Sequence, residues 1–356
     1  VITGTEAKGA YTMKGLVKYE KGPGNMKVME MPEPVCGPGS VKIRVEYTGI
    51  CGSDLHIRAS DIAIPVNPPV ITGHEFSGVV TEVGEEVTNC KVGDRVTSET
   101  AYSYCGECYN CKSGRYNLCN DRKVLGYWYN GAFAPYTMVP SRNIHILPDT
   151  VSFEEGAMIE PMACVTHAAM NLASIDSTDT VLVTGPGAIG LIALQVAKSQ
   201  GAKVIVSGTS IDEPRLALAR ELGADVTVDV LKEDLEQIVA RETGGIGVDV
   251  VLECSGSEKG SESGLKAVKK QGQFVQIGLA GRPITLPFDL ICYKEIKVTG
   301  SLGSIWSSWK KAISLLEMGK VNLKILAKDT FTLDEWETAF EKFEKKEGLK
   351  ILIRQQ

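Results

Sequence analysis

The chain has 356 residues, 43% of them apolar, with 38 basic against 44 acidic side chains and a formal net charge of −6. That length is more than one hydrophobic core usually serves and fits two domains. No run nears the ~20 apolar residues of a membrane span, and a mildly acidic chain argues against nucleic acid or an anionic membrane as the main partner.

The first stretch, "VITGTEAKGAYT" (1–12), is polar, small and patternless, and reads as a tag or a disordered tail. No secretory signal pattern is visible there, so the expected setting is cytoplasmic, with the ten cysteines reduced. From Met13 the texture is all-β: "VKIRVEYTGI", "FSGVVTEVG", "DRVTSET" and "APYTMV" are short β-branched runs broken by Gly, Pro and Asn. A barrel or sandwich is expected over 13–163.

Two clusters of metal-ligand type lie inside that segment. In "CGECYNCKSGRYNLC", Cys105, Cys108, Cys111 and Cys119 have the C-x2-C-x2-C-x7-C spacing. Reduced thiols at close spacing suit a tetrahedral zinc knot better than a disulfide staple; the plain alternative is an empty reduced loop. Upstream, Cys51, His74 and Glu75 combine a soft, a borderline and a hard ligand type, with Glu160 in "AMIEPMACVTHA" as a fourth candidate. Three protein ligands and an open position is a catalytic arrangement, although a lone His beside a Glu is more often a satisfied surface pair.

Past residue 160 the pattern changes. "DTVLVTG", "AIGLIALQVAKSQGA", "KVIVSG", "PRLALARELGA", "VDVVLECSG" and "GQFVQIG" alternate apolar strands with amphipathic helices, the signature of a doubly wound parallel α/β sheet over 164–300. The first turn carries Gly185-x-Gly187-x-x-Gly190, with Ala188 and Ile189 inside it. A strand before and a helix after give the fingerprint its required context. The glycines permit a tight turn, close approach to a pyrophosphate and close helix packing, and the phosphates meet a helix N-terminus. The second strand ends Ser207-Gly208-Thr209-Ser210 with no acid at its tip, and Arg215 follows. An acid there would hold a ribose 2′-hydroxyl and repel a 2′-phosphate, so NADP(H) is expected over NAD(H), unless Asp212 reaches the ribose. Gly208→Asp should then swing the preference. Further cofactor contacts are expected at Cys254 and Ser255 in "ECSG", at Ile277, Gly278 and Leu279 in "IGLAG", and at Leu302. Two helical stretches, "SSWKKAISLLEMGK" and "TLDEWETAFEKFEKK", and a strand, "LKILIR", close the chain.

"GHEFSGVVTEVGEEV" (73–87) matches G-H-E-x-x-G-x5-G-x-x-V, and with it the chain resembles the zinc-dependent medium-chain dehydrogenase/reductase family. "HE" together with "EP" is similar to the sorbitol and threonine dehydrogenase branch. The resemblance runs from Met13 to the end. It implies a GroES-like β-barrel catalytic domain, a Rossmann domain, a 301–356 segment returning to the first domain, and an active cleft between them. It implies two zincs per chain: a catalytic one at Cys51 and His74 with Glu75 or Glu160, and a structural one at the four-cysteine loop. Ser53 and His56 match the family's proton relay. Zinc would act as Lewis acid on a substrate oxygen, and hydride would pass to the nicotinamide. A homodimer or homotetramer is also implied.

The sorbitol branch carries an Arg–aromatic pair after "KVTG"; here the stretch is Gly300-Ser301-Leu302-Gly303-Ser304. With Tyr127 and Trp128, Leu302 points to a pocket less polar than a hexitol needs. Secondary alcohols, shorter polyols, sugar acids and the matching ketones are therefore the expected small-molecule partners. A threonine-type amino-alcohol dehydrogenase using NAD(H) and a non-catalytic nucleotide-binding relative remain as alternatives. A zinc-ribbon nucleic-acid binder is opposed by the acidic charge.

Overall fold

The β-hairpin Thr12–Lys18 and Met26–Pro32 opens a computed structural model that describes residues 11–355. The expected tail at 1–12 lies outside the described residues except for its last two, and there the expectation is corrected: Thr12 already pairs with Pro32 in the hairpin. The chain divides into two compact units. One runs up to Glu160 and takes in the chain again from Ala327; the other is Pro161–Leu326.

Alternation builds the first unit. Along Ser40–Gly49, Val41, Ile43 and Val45 are buried while Arg44 is exposed, the period of a sheet with one face inward. That strand pairs with Glu75–Val83, Tyr136–Pro140 and Ile351–Arg354 at different points along its length. Two register shifts against Glu75–Val83 mark the bulges that bend it, and its apolar face packs with Phe76, Val80, Val96 and Val139. The chain's end belongs here too: Asp329–Thr332 runs parallel to Ile351–Arg354. Helix Trp336–Glu344 buries Trp336, Ala339 and Phe340 among Leu16, Phe133, Ile351 and Ile353.

The second unit is a six-stranded, wholly parallel sheet. Across it the strands run Val226–Asp229, Lys203–Gly208, Thr180–Thr184, Val248–Glu253, Val268–Gln276 and Lys297–Gly300. By chain order this is 3-2-1-4-5-6, the doubly wound Rossmann arrangement. Central strands covered on both faces need continuous apolar runs, and Val181, Leu182 and Val183 are fully buried, as are Val204, Ile205 and Val206. The order reverses between the first and fourth strands, where Thr184 and Glu253 lie opposite each other at the carboxyl ends.

The expected limits of this unit, 164 and 300, differ from those found. Helix Trp306–Glu317 buries Trp309, Ala312, Leu315 and Leu316. Thr166 Oγ1 donates to Ser308 O at 2.8 Å, Lys311 Nζ to Met170 O at 2.8 Å, and Asn322 N to Gln195 Oε1 at 2.7 Å. These bonds keep 301–326 in the nucleotide unit, so the return to the first unit starts at 327. No helix among the described residues is long and apolar enough to cross a membrane.

Candidate functional site

A short helix, Gly52–Ala59, supplies one side of the first cluster. It is capped from within: Asp54 Oδ2 accepts the Cys51 N–H at 2.9 Å, and Ser60 ends the helix in the left-handed conformation at φ 58°. An acid in the first turn also suits the helix dipole. His74 and Glu75 come from the turn and strand opposite, since Gly49 pairs with Glu75 in the sheet. One ligand-type atom from each of Cys51, His74 and Glu75 lies within 4.8 Å of the others. His74 and Glu75 are buried and Cys51 is half-buried.

The surroundings of this trio are charged. His74 Nδ1 sits 3.7 Å from Asp54 Oδ1, beyond hydrogen-bond reach, so the carboxylate acts on the ring through its charge. Burial opposes charge on His74, but Asp54, Cys51 and Glu160 outweigh it and push the imidazole up to about 10. Glu75 is ion-paired with the buried Lys350, which also donates to Ile50 O at 2.9 Å. Burial pulls the Lys350 ammonium down, while Glu75, Cys51 and Glu160 together hold it above its usual value. Acidic side chains thus surround the buried imidazole and ammonium, a setting that favours cations. With a thiolate, an imidazole and a carboxylate converging, the donor set fits zinc.

Ser53 Oγ lies 3.3 Å from His74 Nε2. His56, three residues on, is half-exposed, and its Nδ1 pairs with Asp61 Oδ1 at 2.9 Å. The structure therefore brings Ser53 into the cluster and leaves His56 at the rim. Glu160 is buried and acts electrostatically on His74, Lys350 and Tyr127, yet it is not among the three converging donors. Tyr127 packs its ring edge-on to His74 at 5.4 Å. Burial, then the charges of Cys51 and Asp54, raise its phenol well above the usual value, so it stays protonated. Asp54 and Lys350 were not legible in the sequence. Asp54 has a faint signal, an acid three residues after a possible N-cap. Lys350 has none, because only the sheet brings the last strand to Glu75.

The four-cysteine loop also converges. The Sγ–Sγ separations are 3.5 Å for Cys108–Cys111, 3.5 Å for Cys105–Cys119 and 3.8 Å for Cys105–Cys111. A regular tetrahedron with Zn–S near 2.3 Å has edges of about 3.8 Å, whereas a disulfide would need about 2.05 Å. All four are free thiols. Amide N–H groups of Cys108 and Cys105 point at Cys105 Sγ and Cys119 Sγ, both at 3.4 Å, as suits thiolate acceptors. The loop is pinned through Tyr116, whose hydroxyl reaches Glu99 at 2.5 Å; Glu99 in turn meets His145 Nε2 at 3.1 Å.

In the second unit, the Gly185 turn is shaped for a dinucleotide. Gly185 has φ 88°, and a Cβ there would lie 2.8 Å from Ser255 Cα. Gly190 packs directly on the Gly185 carbonyl, so neither position has room for a side chain. Gly187, the N-cap of helix Ala188–Ser199, faces open space. Turn, close packing and open approach are the separate demands of a pyrophosphate at a helix N-terminus. At the second strand's tip, Asp212 accepts from Thr209 N at 3.1 Å and Thr209 Oγ1 at 2.9 Å, and Arg215 Nη1 lies 3.5 Å from its other oxygen. Ser210 Oγ donates to Asp229 at 2.6 Å. Cys254 turns its thiol back toward Leu252 O at 3.6 Å, and burial pushes that thiol up. Leu279 is exposed, as is Leu302 to a lesser extent.

Residues 37–149 match the alcohol dehydrogenase GroES-like domain, and residues 188–318 match the zinc-binding dehydrogenase domain. The chain belongs to the zinc-binding alcohol dehydrogenase family. It is 47% identical to a sorbitol dehydrogenase of Halalkalibacterium halodurans over 96% of this chain and 99% of that protein. It is 44% identical to a D-arabitol-phosphate dehydrogenase of Enterococcus avium, covering 96% and 97%. Among solved structures, a zinc-binding dehydrogenase from Sinorhizobium meliloti bound to NADP superposes with a TM-score of 0.88 at 31% identity, covering 97% and 99% of the two chains. As in other zinc-binding dehydrogenases, the catalytic fold is a GroES-like unit and the nucleotide fold a Rossmann sheet.

Proposed function

We propose that this dehydrogenase moves hydride between a secondary alcohol, a polyol or a sugar-derived alcohol, or the matching ketone, and NADP(H). The observation that carries the reading is the convergence of Cys51, His74 and Glu75 with the Ser53 hydroxyl beside them. Zinc held there supplies a Lewis acid that lowers the pKa of the substrate hydroxyl, and the dinucleotide supplies the hydride acceptor. Cys51, His74 and Glu75 hold the metal, with Glu160 as the reserve carboxylate nearby. Asp54 backs the His74 ring with a negative charge. Ser53 Oγ accepts the substrate proton as its own hydroxyl proton passes on toward His56, on the same face of its helix, and His56 releases a proton to solvent from a ring steadied by Asp61. Cys105, Cys108, Cys111 and Cys119 hold a second zinc that shapes the loop.

The NADP assignment rests on the tip Gly208-Thr209-Ser210 and Arg215. Asp212 is engaged by the Thr209 amide and hydroxyl and Asp229 by the Ser210 hydroxyl, which supports the reading that neither acid is free to hold a ribose. Gly208 itself is closely approached: a Cβ would stand 2.8 Å from Pro186 Cγ. The substitution Gly208→Asp is therefore strained alone, and Arg215→Ala is the cleaner test. The polyol reading is supported by the two relatives above. A cytoplasmic homodimer or homotetramer completes the proposal.

Nicotinamide absorbance with NADP and with NAD, over secondary alcohols, polyols, polyol phosphates, sugar acids and threonine, tests it. Turnover of a polyol or secondary alcohol with NADP preferred about ten-fold or more, and that preference lost in R215A, is expected from one charge-assisted phosphate contact. A preference for threonine with NAD overturns the reading.

A further inference from the structure

Glu253 ends the fourth strand of the nucleotide sheet and is fully buried. Buried carboxylates are normally paired with a cation, and none of the ion pairs among the described residues involves Glu253. Its partners are all hydrogen-bond donors. Oε1 accepts from Thr184 Oγ1 at 3.0 Å, from Ser255 N at 3.0 Å and from Ser255 Oγ. Oε2 accepts from Gly256 N at 3.1 Å and Gln276 Nε2 at 2.6 Å. The same Gln276 amide donates to Gly278 O at 2.8 Å, which fixes its orientation with the NH2 toward Glu253. The Glu253 carbonyl accepts from both Ile277 N and Gly278 N at 2.9 Å.

These bonds join three strand tips at the point where the sheet order reverses: Thr184 on the first strand, Glu253–Gly256 after the fourth, and Gln276–Gly278 after the fifth. They are also packed against one another. Gly185 abuts Ser255, and a Cβ on Gly278 would sit 2.8 Å from Gly256 Cα. A glutamine cannot serve all five donors, because Oε1 faces Ser255 N and Oε2 faces Gly256 N, and one of these backbone N–H groups would meet the glutamine's own NH2.

We propose that Glu253 is the positioning residue of the dinucleotide site. Its carboxylate clamps the three strand tips so that the glycine turn and the 254–256 and 277–278 segments hold one fixed floor for the cofactor. The inference rests on reading that switch point as the dinucleotide site, and it assigns Glu253 no contact with the reacting atoms.

The test uses the full-length, zinc-loaded protein, with NADPH and NADH as probes. Dissociation constants come from fluorescence titration, alongside kcat, KM and zinc content. Glu253→Gln, of nearly equal volume, is expected to raise the dissociation constant and cofactor KM about ten-fold or more, the scale of one lost charge-assisted hydrogen bond. The value of kcat at saturation should change far less, and zinc content not at all. Thr184→Val, which removes one donor and keeps the carboxylate, is expected to give a smaller rise of about three-fold; it also serves if E253Q does not fold. Unchanged cofactor affinity in E253Q, or in T184V where E253Q does not fold, overturns the proposal, as does a loss of kcat with cofactor affinity intact. If the parent protein binds neither probe, the underlying reading of the switch point fails and the proposal with it.

Discussion

Lys350 and Glu75 show how one residue pair can govern a site. Both are buried, and the carboxylate faces the Cys51–His74 cluster while its other demand is met by the ammonium. Removing one partner of a buried ion pair leaves the other charge stranded, at a cost of about 3–5 kcal/mol, whereas removing both charges is far cheaper. In zinc-depleted protein, Lys350→Met should therefore lose stability on that scale, and the double variant K350M/E75Q should recover most of it. Denaturant unfolding with a double-mutant cycle measures this. A K350M stability equal to that of the parent would mean that the ammonium does not balance Glu75. The sequence marked Glu75, because a zinc-signature motif surrounds it, but it could not mark Lys350, which lies in an unremarkable "GLK" before the last strand.

The convergence of the four cysteines was the most legible feature at the scale of an element, because their spacing is a ligand pattern in itself. What the sequence did not disclose is how the loop is tethered. Tyr116 within the loop, Glu99 on the barrel side and His145 after it form a buried chain of hydrogen bonds, built from residue types that fill many other roles. Cys108→Ser should leave one zinc equivalent per chain by elemental analysis in place of two, with dinucleotide affinity unchanged, since the second unit carries its own fold. Two equivalents retained in C108S would count against the four-thiolate site. The short helix Gly52–Ala59 was illegible for a related reason: "GSDLHIRA" has weak apolar periodicity and is held by its Asp54 and Ser60 caps.

At the scale of the whole molecule, the doubly wound parallel sheet followed from alternating apolar runs and amphipathic stretches, whereas its strand order and the limits of the nucleotide unit did not. Helix Trp306–Glu317 has a pattern that fits either unit, and only its bonds to Thr166 and Met170 decide. That same junction holds His167, whose imidazole is kept below its ordinary 6.5 by burial and then by Lys311. Because the folded form resists a proton that the unfolded chain accepts, stability is full above about pH 6.5 and declines as pH falls toward the depressed folded value. His167→Gln should flatten that slope in thermal unfolding of zinc-loaded protein between about pH 7.5 and 5.5; an unaltered slope would rule His167 out as its source. The last strand has a further consequence. Residues 351–354 complete the barrel sheet beside Ser40–Gly49, and Lys350 precedes them directly. Lys350 meets Ile50 across 300 residues of chain, so the acid-lined pocket gains its ammonium only through a contact of high sequence separation, the kind that is slow to form.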